Sequence, residues 1–215
     1  VAKSGCLGCH ADKAVAPEPH LRELAGSPHR GLDCAACHAG ASESGHEKLA
    51  AVDCGSCHAG ATDKLRASSH GAALLKKRGS LEAACASCHG KGHAVLRVKD
   101  AGSPAFRRNQ PKTCGQCHQR AGGVPARIEA VHPVESYAHT VHGQALVAGS
   151  TAAAACSDCH GSHDIRPGAD PRSRIAGANL SATCGRCHRS EMALFDKSVH
   201  GEAVRRGARA APTCT

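Results

Sequence analysis

One short motif dominates this sequence. Cys-x-x-Cys-His occurs seven times in 215 residues and uses fourteen of the fifteen cysteines. Two thiols followed by a histidine at this spacing form the attachment motif of c-type haem. The cysteines are Cys6, Cys9, Cys34, Cys37, Cys54, Cys57, Cys85, Cys88, Cys114, Cys117, Cys156, Cys159, Cys184 and Cys187, and the proximal histidines are His10, His38, His58, His89, His118, His160 and His188. The sequence therefore predicts seven haem c groups, each held by two thioether bonds and one iron ligand.

Zinc sites and redox-active disulfides also use Cys-x-x-Cys pairs. Neither use requires a histidine directly after the second cysteine. Histidine makes up 17 of 215 residues, so its chance placement there seven times has a probability of roughly 10⁻⁸. Haem attachment is the interpretation that the repeated motif favours.

Large apolar side chains are scarce. The chain has no Trp, one Tyr, two Phe and one Met, whereas a chain of this length normally buries a sizeable core. We expect the haems to supply the missing apolar bulk, and folding to depend on their attachment, as in small metal-binding domains. The predicted fold is mainly coil with short α-helices and little or no β-sheet, in one elongated, haem-packed domain spanning residues 1–215.

Helical apolar spacing predicts helices at 70–78, 140–148 and 191–206, and more weakly at 21–25 and 47–52. Each Cys-x-x-Cys-His is expected to begin a helical turn. The segments 122–133 and 166–179 are rich in Pro, Gly and charge, which predicts loops.

The formal charge of +9 raises the question of an anionic partner. Each ferric haem with two ionised propionates adds about −1, so seven haems lower the total to about +2 oxidised and about −5 reduced. We interpret the lysines and arginines as propionate partners, and expect no nucleic-acid binding. No apolar run is long enough for a transmembrane helix. Because c-type haem is attached outside the energy-transducing membrane, we expect an exported protein with its leader removed.

Ten histidines remain outside the motifs, which is more than the seven irons need. Beside so many haems, spare histidines are good candidates for the second axial ligand. Methionine is the other common ligand and raises the potential, but Met192 is the only one and we interpret it as a packing residue. We therefore predict bis-histidine coordination and low potentials at most or all sites.

An internal repeat organises the spare histidines. Ser-x-His-Gly or Val-His-Gly precedes one motif, a Cys-x-x-Cys-His-Gly-x-His or closely similar string follows, and Thr-Cys-Gly-x-Cys-His ends the unit. The units span approximately residues 1–26, 27–66, 67–135, 136–196 and 197–215. The unit 27–66 is a condensed version, and the first carries a lone motif with His20.

The last unit stops at Cys214. His142 lies fourteen residues before Cys156, and His200 lies fourteen residues before Cys214. We therefore interpret Cys214 as the first cysteine of an eighth haem site that would be completed beyond Thr215, with a free thiol as the alternative.

The repeat assigns eight distal iron ligands: His20, His29, His46, His70, His93, His142, His163 and His200. His132 and His139 are left over. His139 lies three residues before His142, so the two share a helix face and compete for one assignment. The sequence leaves open which distal histidine serves which haem.

The strings Ser-x-His-Gly, Cys-x-x-Cys-His-Gly-x-His and Thr-Cys-Gly-x-Cys-His resemble the recurring modules of multihaem c-type cytochromes from metal-reducing and anaerobically respiring bacteria. The resemblance covers nearly the whole chain. It implies electron transfer along closely packed haems, in which a distal histidine often serves a haem other than its nearest in sequence. It also implies a location in the periplasm, at the outer membrane or outside the cell.

Three functions are compared. The first is an electron conduit without catalysis, working with redox protein partners or copies of itself, with a quinol-oxidising membrane module or with an extracellular acceptor. The second is a reductase of a small oxyanion or nitrogen compound, which needs one open iron; His132, His139 and Tyr137 are its candidate pocket. The third is a subunit of a cytochrome filament. Because all seven motif histidines are intact and spare histidines outnumber the complete motifs, we favour electron transfer over catalysis.

Overall fold

Short helices joined by turns make up the computed structural model, which describes residues 3–10, 21–41, 49–119, 132–208 and 210–214. More than half of these residues are helical, and no strand occurs among them. The α-helices are α1 Lys3–His10, α2 Leu21–Gly26, α3 Ala59–Arg66, α4 Ser69–Arg78, α5 Leu81–His89, α6 Gln110–His118, α7 Pro133–Ala138, α8 Val141–Val147, α9 Cys156–His160, α10 Gly177–Gly185, α11 Arg189–Asp196 and α12 Val199–Arg205. Four 3₁₀ turns cover Cys34–Ala36, Cys54–Ser56, Gly92–Ala94 and Arg107–Asn109. The predicted fold class is confirmed.

The predicted helices at 70–78, 140–148 and 21–25 correspond to α4, α8 and α2. Two other predictions need correction. The helix predicted at 191–206 is two helices, because Ser198 leaves helical geometry and caps a new one. Of the helix predicted at 47–52, residues 49–52 are not helical, and residues 47 and 48 lie outside the described residues.

The prediction that each motif begins a helical turn is confirmed for three motifs and is wrong for others. The motifs at Cys34 and Cys54 begin 3₁₀ turns, and the motif at Cys156 is a helix by itself. In α1, α5 and α6 the motif instead ends the helix, with its histidine as the last residue. The predicted loop at 166–179 consists of turns until α10 begins at Gly177.

In three copies of the repeat, a serine or threonine two positions before a spare histidine caps the helix that contains this histidine. In the first copy the Ser68 hydroxyl accepts from Gly71 N at 3.0 Å and donates to Leu65 O at 2.7 Å. It thereby caps the start of α4 and the end of α3. Thr140 and Ser198 make the same two bonds at the junctions α7–α8 and α11–α12. His70, His142 and His200 therefore start from one local geometry.

The glycine after each of these histidines lets two helices approach closely. A Cβ on Gly143 would overlap the carbonyl oxygen of Tyr137, and Gly71 and Gly201 meet Leu65 and Phe195 in the same way. The clash would be with backbone, so no rotamer change relieves it. This contact explains why glycine follows the histidine in all three copies.

We expect Gly143→Ala to lower the stability of the holo-protein by about 1–3 kcal/mol, because the added methyl group forces α7 and α8 apart. The measurement is the denaturant midpoint followed by the Soret band. Gly60→Ala is the matched control, since a Cβ there meets nothing within 4 Å and alanine favours the helix. Equal midpoints for Gly143→Ala and the parent would contradict the packing argument.

A second repeated turn precedes the motifs at Cys114 and Cys184. The Asn179 amide donates to Pro171 O and Ser173 O at 2.8 Å, and the Thr183 hydroxyl donates to Arg174 O at 2.7 Å. Asn109 and Thr113, seventy positions earlier, make the corresponding bonds to Ala101 O, Ser103 O and Pro104 O. The units around 67–119 and 138–188 thus share three-dimensional structure as well as sequence.

The protein's own core is small. Leu146, Ala153 and Ala155 are buried together, and Tyr137 packs against them while its hydroxyl donates to Ala154 O at 2.7 Å. The largest side chains with under 2% exposure in the described residues are serines, Ser27 and Ser103. Four aliphatic side chains are more than 70% exposed: Val141, Val147, Leu194 and Val199. Burial of this kind fits a chain whose apolar bulk comes from cofactors.

Arginine–aspartate pairs hold the turn before α10. The Asp170 carboxylate accepts from the Arg172 side chain at 2.9 Å and from the Arg172 amide at 2.9 Å, and pairs with Arg166 at 3.3 Å. Hydrogen bonds from Arg172, followed by its charge, hold the pKa of Asp170 well below the ordinary value. The charged form of Asp170 therefore stabilises the turn.

Because the pKa of Asp170 is lower in the folded state, its contribution should be fully present above the unfolded pKa of about 3.9. It should be lost as the pH falls below that value. We expect Asp170→Asn to lower the denaturant midpoint at pH 7, and the difference from the parent to shrink between about pH 4 and pH 2. Asp63→Asn is the control, since no ion pair of Asp63 occurs within the described part of the chain. A difference in denaturant midpoint that does not change with pH would rule out the charge of Asp170 as its cause.

Candidate haem-binding array

Short helical turns present the motif side chains on one side of the backbone. In the motif at Cys54, the Asp53 carboxylate accepts from Gly55 N at 2.8 Å and starts the turn. His58 N then donates to Cys54 O at 2.9 Å. Asp33 and the Cys34 motif repeat this arrangement. These capping aspartates were not predicted as site residues, although an aspartate directly before the first cysteine is a sequence signal for an N-cap.

Glycine turns the chain after two of the motifs. Gly90 and Gly161 follow His89 and His160 with φ of 86° and 82°, a region that favours glycine. Their amides donate to Ala86 O and Ser157 O, closing the helical turn of the motif. The chain then reverses and carries the second spare histidine of the unit, His93 or His163, away from the adjacent motif.

Five motif histidines face a spare histidine across a nearly constant gap. The ring centroids are 5.9–6.0 Å apart in every pair. The interplanar angles are 53–62° in four pairs and 17° in the fifth. The pairs are His29–His58, His38–His93, His70–His118, His89–His163 and His142–His188.

This gap fits two imidazoles bound to opposite sides of one iron. A metal–imidazole bond is about 2.0 Å and the ring nitrogen lies about 1.1 Å from the ring centre, so two ligands in line place their centroids roughly 6 Å apart. Directly stacked or hydrogen-bonded rings would lie closer together. The donor set and its spacing therefore fit bis-histidine haem at five sites.

The pairs follow a rule set by the repeat. The first spare histidine of a unit faces the second motif of the same unit, as in His70–His118 and His142–His188. The second spare histidine faces the first motif of the preceding unit, as in His93–His38 and His163–His89. His29–His58 in the condensed unit follows the first half of the rule.

The electrostatic surroundings favour neutral imidazole, which is the form that binds iron. Burial lowers the pKa of His70, His89 and His118, and nearby histidines lower the pKa values of His70 and His89 further. His58 acts on His89, so the motifs at Cys54 and Cys85 approach each other through their histidines as well.

The cysteines of successive motifs lie near enough to influence each other's pKa. First cysteines interact in this way in the pairs Cys6–Cys34, Cys54–Cys85 and Cys114–Cys156. In the first of these pairs, the two sulfur atoms and an Asp33 oxygen all lie within 4.8 Å of one another. Between these pairs, the charges of cysteines in the following motif raise the pKa of second cysteines: Cys54 acts on Cys37, Cys117 on Cys88 and Cys184 on Cys159.

Burial and the neighbouring cysteines change the pKa of the free thiols. Burial first, and then the neighbouring Cys85, raise the pKa of Cys54 to about 11. A raised pKa keeps the free Cys54 thiol in its protonated form at neutral pH. The arrangement of the cysteines gives seven attachment points in one series, in the order of the sequence.

Cys214 continues the same series. It raises the pKa of Cys184, the first cysteine of the motif before it, and Cys34, Cys85 and Cys156 interact with the preceding first cysteine in the same electrostatic way. α12 also repeats α4 and α8 through the cap at Ser198 and the close approach at Gly201. Cys214 thus occupies the place of a first motif cysteine.

An open cavity of about 580 Å³ lies between α1 and α2. Leu7, which stands between the two cysteines of the first motif, lines it together with Leu21, Leu24 and Ala25. Apolar walls beside the thioether cysteines are suited to one face of a porphyrin. The distal candidates for this motif, His20 and His46, lie outside the described residues.

Three spare histidines of the described segments are not part of a ring pair: His132, His139 and His200. All three are exposed. Tyr137, the third member of the candidate catalytic pocket, is held in the small core with its hydroxyl bonded to backbone. Met192 lies against Gly185, as expected for a packing residue.

Comparison with known proteins agrees with this geometry. Residues 27–119 match the family model described as "Cytochrome c3". That segment contains four of the seven motifs and the pairs His29–His58, His38–His93 and His70–His118. No curated protein and no solved structure gave a match.

The chain is thus a multihaem c-type cytochrome, with haem c as its cofactor. Electron transfer is the activity that this class supports. No helix within the described residues is both long and apolar enough to cross a membrane.

The ring pairs make a direct prediction for the competing residues His139 and His142. His142→Ala should leave the iron at His188 with one histidine, giving a high-spin signal in electron paramagnetic resonance and one additional carbon monoxide bound per chain after reduction. His139→Ala, at an exposed position outside the ring pairs, is the control and should match the parent. The reverse result would mean that His139 is the ligand.

Proposed function

We propose that this protein conducts electrons along a row of bis-histidine c-type haems, seven at the complete motifs and an eighth begun at Cys214. The observation that carries the proposal is the set of five histidine pairs at axial spacing. The electrostatic interactions between cysteines of successive motifs support it, because attachment points near one another keep neighbouring cofactors close, and proximity is what rapid electron transfer requires.

The haem iron supplies the one-electron redox chemistry when it is bound. The cysteines tether each group at a fixed place in the row. The paired histidines hold the iron from both sides, so no substrate position remains at those five sites. Two imidazole ligands also keep the potentials lower than a histidine–methionine set would, and Met192 is engaged in packing against Gly185.

Arginines near the array carry part of the electrostatic control. Arg107 pairs with Asp158 at 3.0 Å, inside the motif at Cys156. Arg174 pairs with Asp164 at 3.2 Å, next to His163. A net charge that moves from positive to negative as the haems are reduced would be moderated by these fixed cations. Electrostatics of this type tune haem potential without changing the ligands.

We infer an exported location, in the periplasm, at the outer membrane surface or outside the cell, and a role in anaerobic or extracellular respiration. The partners would be redox proteins, a quinol-oxidising membrane module, an extracellular acceptor or further copies of this chain in a filament. The covalent haem motif supports export, and a row of neighbouring attachment points that continues to Cys214 supports end-to-end electron passage.

Reductive titration of the purified holo-protein tests the conduit. We expect every haem to be reduced from a single donor, with low-spin spectra at the paired sites before and after. The reduced protein should not consume nitrite or hydroxylamine. His70→Ala, which breaks the pair His70–His118 and leaves the attachment motif at Cys114 intact, should add a high-spin site and slow electron passage between the two ends of the row. Sustained turnover of a small substrate by the parent protein would contradict the proposal.

A further inference from the structure

The pairing rule assigns the motif histidine His160 no distal histidine among the described residues. Of the seven motif histidines, His10 and His160 are in none of the five ring pairs. His10 has further contacts of its own. His46 stands in the condensed unit where His93 and His163 stand in the later units, so the rule directs it to His10, one unit back. For His160, none of the histidines in the described residues stands at the position that the rule requires.

His160 belongs to the first motif of its unit. First motifs pair with the second spare histidine of the following unit, as His38 pairs with His93 and His89 pairs with His163. For His160, the following unit is the one that begins at Ser198. Its second spare histidine would stand just after a motif starting at Cys214, and no histidine of residues 1–215 occupies that place.

The remaining described histidines do not substitute for it under the same rule. His200 is the first spare histidine of its unit, and that type faces the second motif of its own unit in all three described examples. His132 and His139 are exposed and belong to neither repeated position. His160 instead lies beside the pair His70–His118, close enough to lower the pKa of His70.

We propose that the iron at the motif Cys156–Cys159–His160 takes its second axial ligand from a histidine of another unit of this repeat, outside residues 1–215. The place of that unit is marked by α12 and by the interaction of Cys214 with Cys184. The ligand is a neutral imidazole, supplied by a unit that continues the polypeptide or by a second copy of the chain. In the isolated chain 1–215 this iron is then an exchangeable site. The inference rests on the proposed haem array.

The test uses the holo-protein of residues 1–215 with its seven haems. After reduction, we expect one carbon monoxide bound per chain, and one high-spin iron in the oxidised form that added imidazole converts to low spin. His163→Ala is the matched comparison, because it opens the iron at His89, and should raise the count from one to two. His132→Ala and His139→Ala should leave it at one.

A chain that binds no carbon monoxide would overturn the proposal, since one of its own histidines must then serve His160. A single open site that disappears in a Cys6→Ala, Cys9→Ala variant and persists in a Cys156→Ala, Cys159→Ala variant would also overturn it. Low-spin, reducible haems at the other sites would still support the proposed electron-conducting function. Failure of those haems to reduce would instead count against the proposed function.

Two further arms distinguish the source of the imidazole. If a second copy supplies it, carbon monoxide binding should fall as protein concentration rises, together with dimer formation in sedimentation. If a continuing unit supplies it, dilution should have no effect. Appending the chain's own Ser157–His163 segment after Cys214 then creates an eighth motif and the missing histidine. Changing this added distal histidine to alanine in the extended chain should raise the number of carbon monoxide molecules bound per chain from one to two.

Discussion

The facing histidine pair is the interaction on which this structure depends. Each pair joins a motif to a histidine well separated from it in sequence, and in two pairs to a histidine of the next unit. With both rings bound to one haem iron, a pair would be a cross-link through the metal, and metal binding of this kind contributes directly to folding free energy. The pairs that step back one unit also connect successive repeats, so the same bonds would hold the units in register.

This constraint explains why so little conventional core is needed. Leu65 and Leu146 are the only large aliphatic side chains that are buried in the described segments, while serine fills the most enclosed positions. Small residues and glycines allow helices such as α7 and α8 to approach until backbone touches backbone. A rigid disc tethered at two cysteines and ligated from both faces then replaces the packing that leucine and phenylalanine supply elsewhere.

The helical, sheet-free fold was predictable from sequence and the histidine pairing was not. Cys-x-x-Cys-His places two thiols and a histidine within five residues, so short helical turns follow from the local pattern, and the covalent haem sites stay a prediction of that pattern. The hydroxyl caps at Ser68, Thr140 and Ser198 explain why the helices at 70 and 140 were recognised and why the one at 191–206 was wrongly joined. Which ring faces which motif depends on the chain reversal at Gly90 and Gly161 and on how whole units stack, and a linear pattern does not contain that information.

The two halves of the pairing rule have different consequences for assembly. A histidine that serves its own unit makes the unit self-sufficient, whereas one that serves the preceding unit makes each unit depend on the next. In the proposed haem array, a repeat with both kinds would grow in one direction: every added unit would complete an iron of the unit before it and present a new incomplete iron. The cysteines that interact electrostatically follow the same order along the chain. One register would then set both the order of assembly and the proposed path of electrons, and a single misplaced distal histidine would interrupt both.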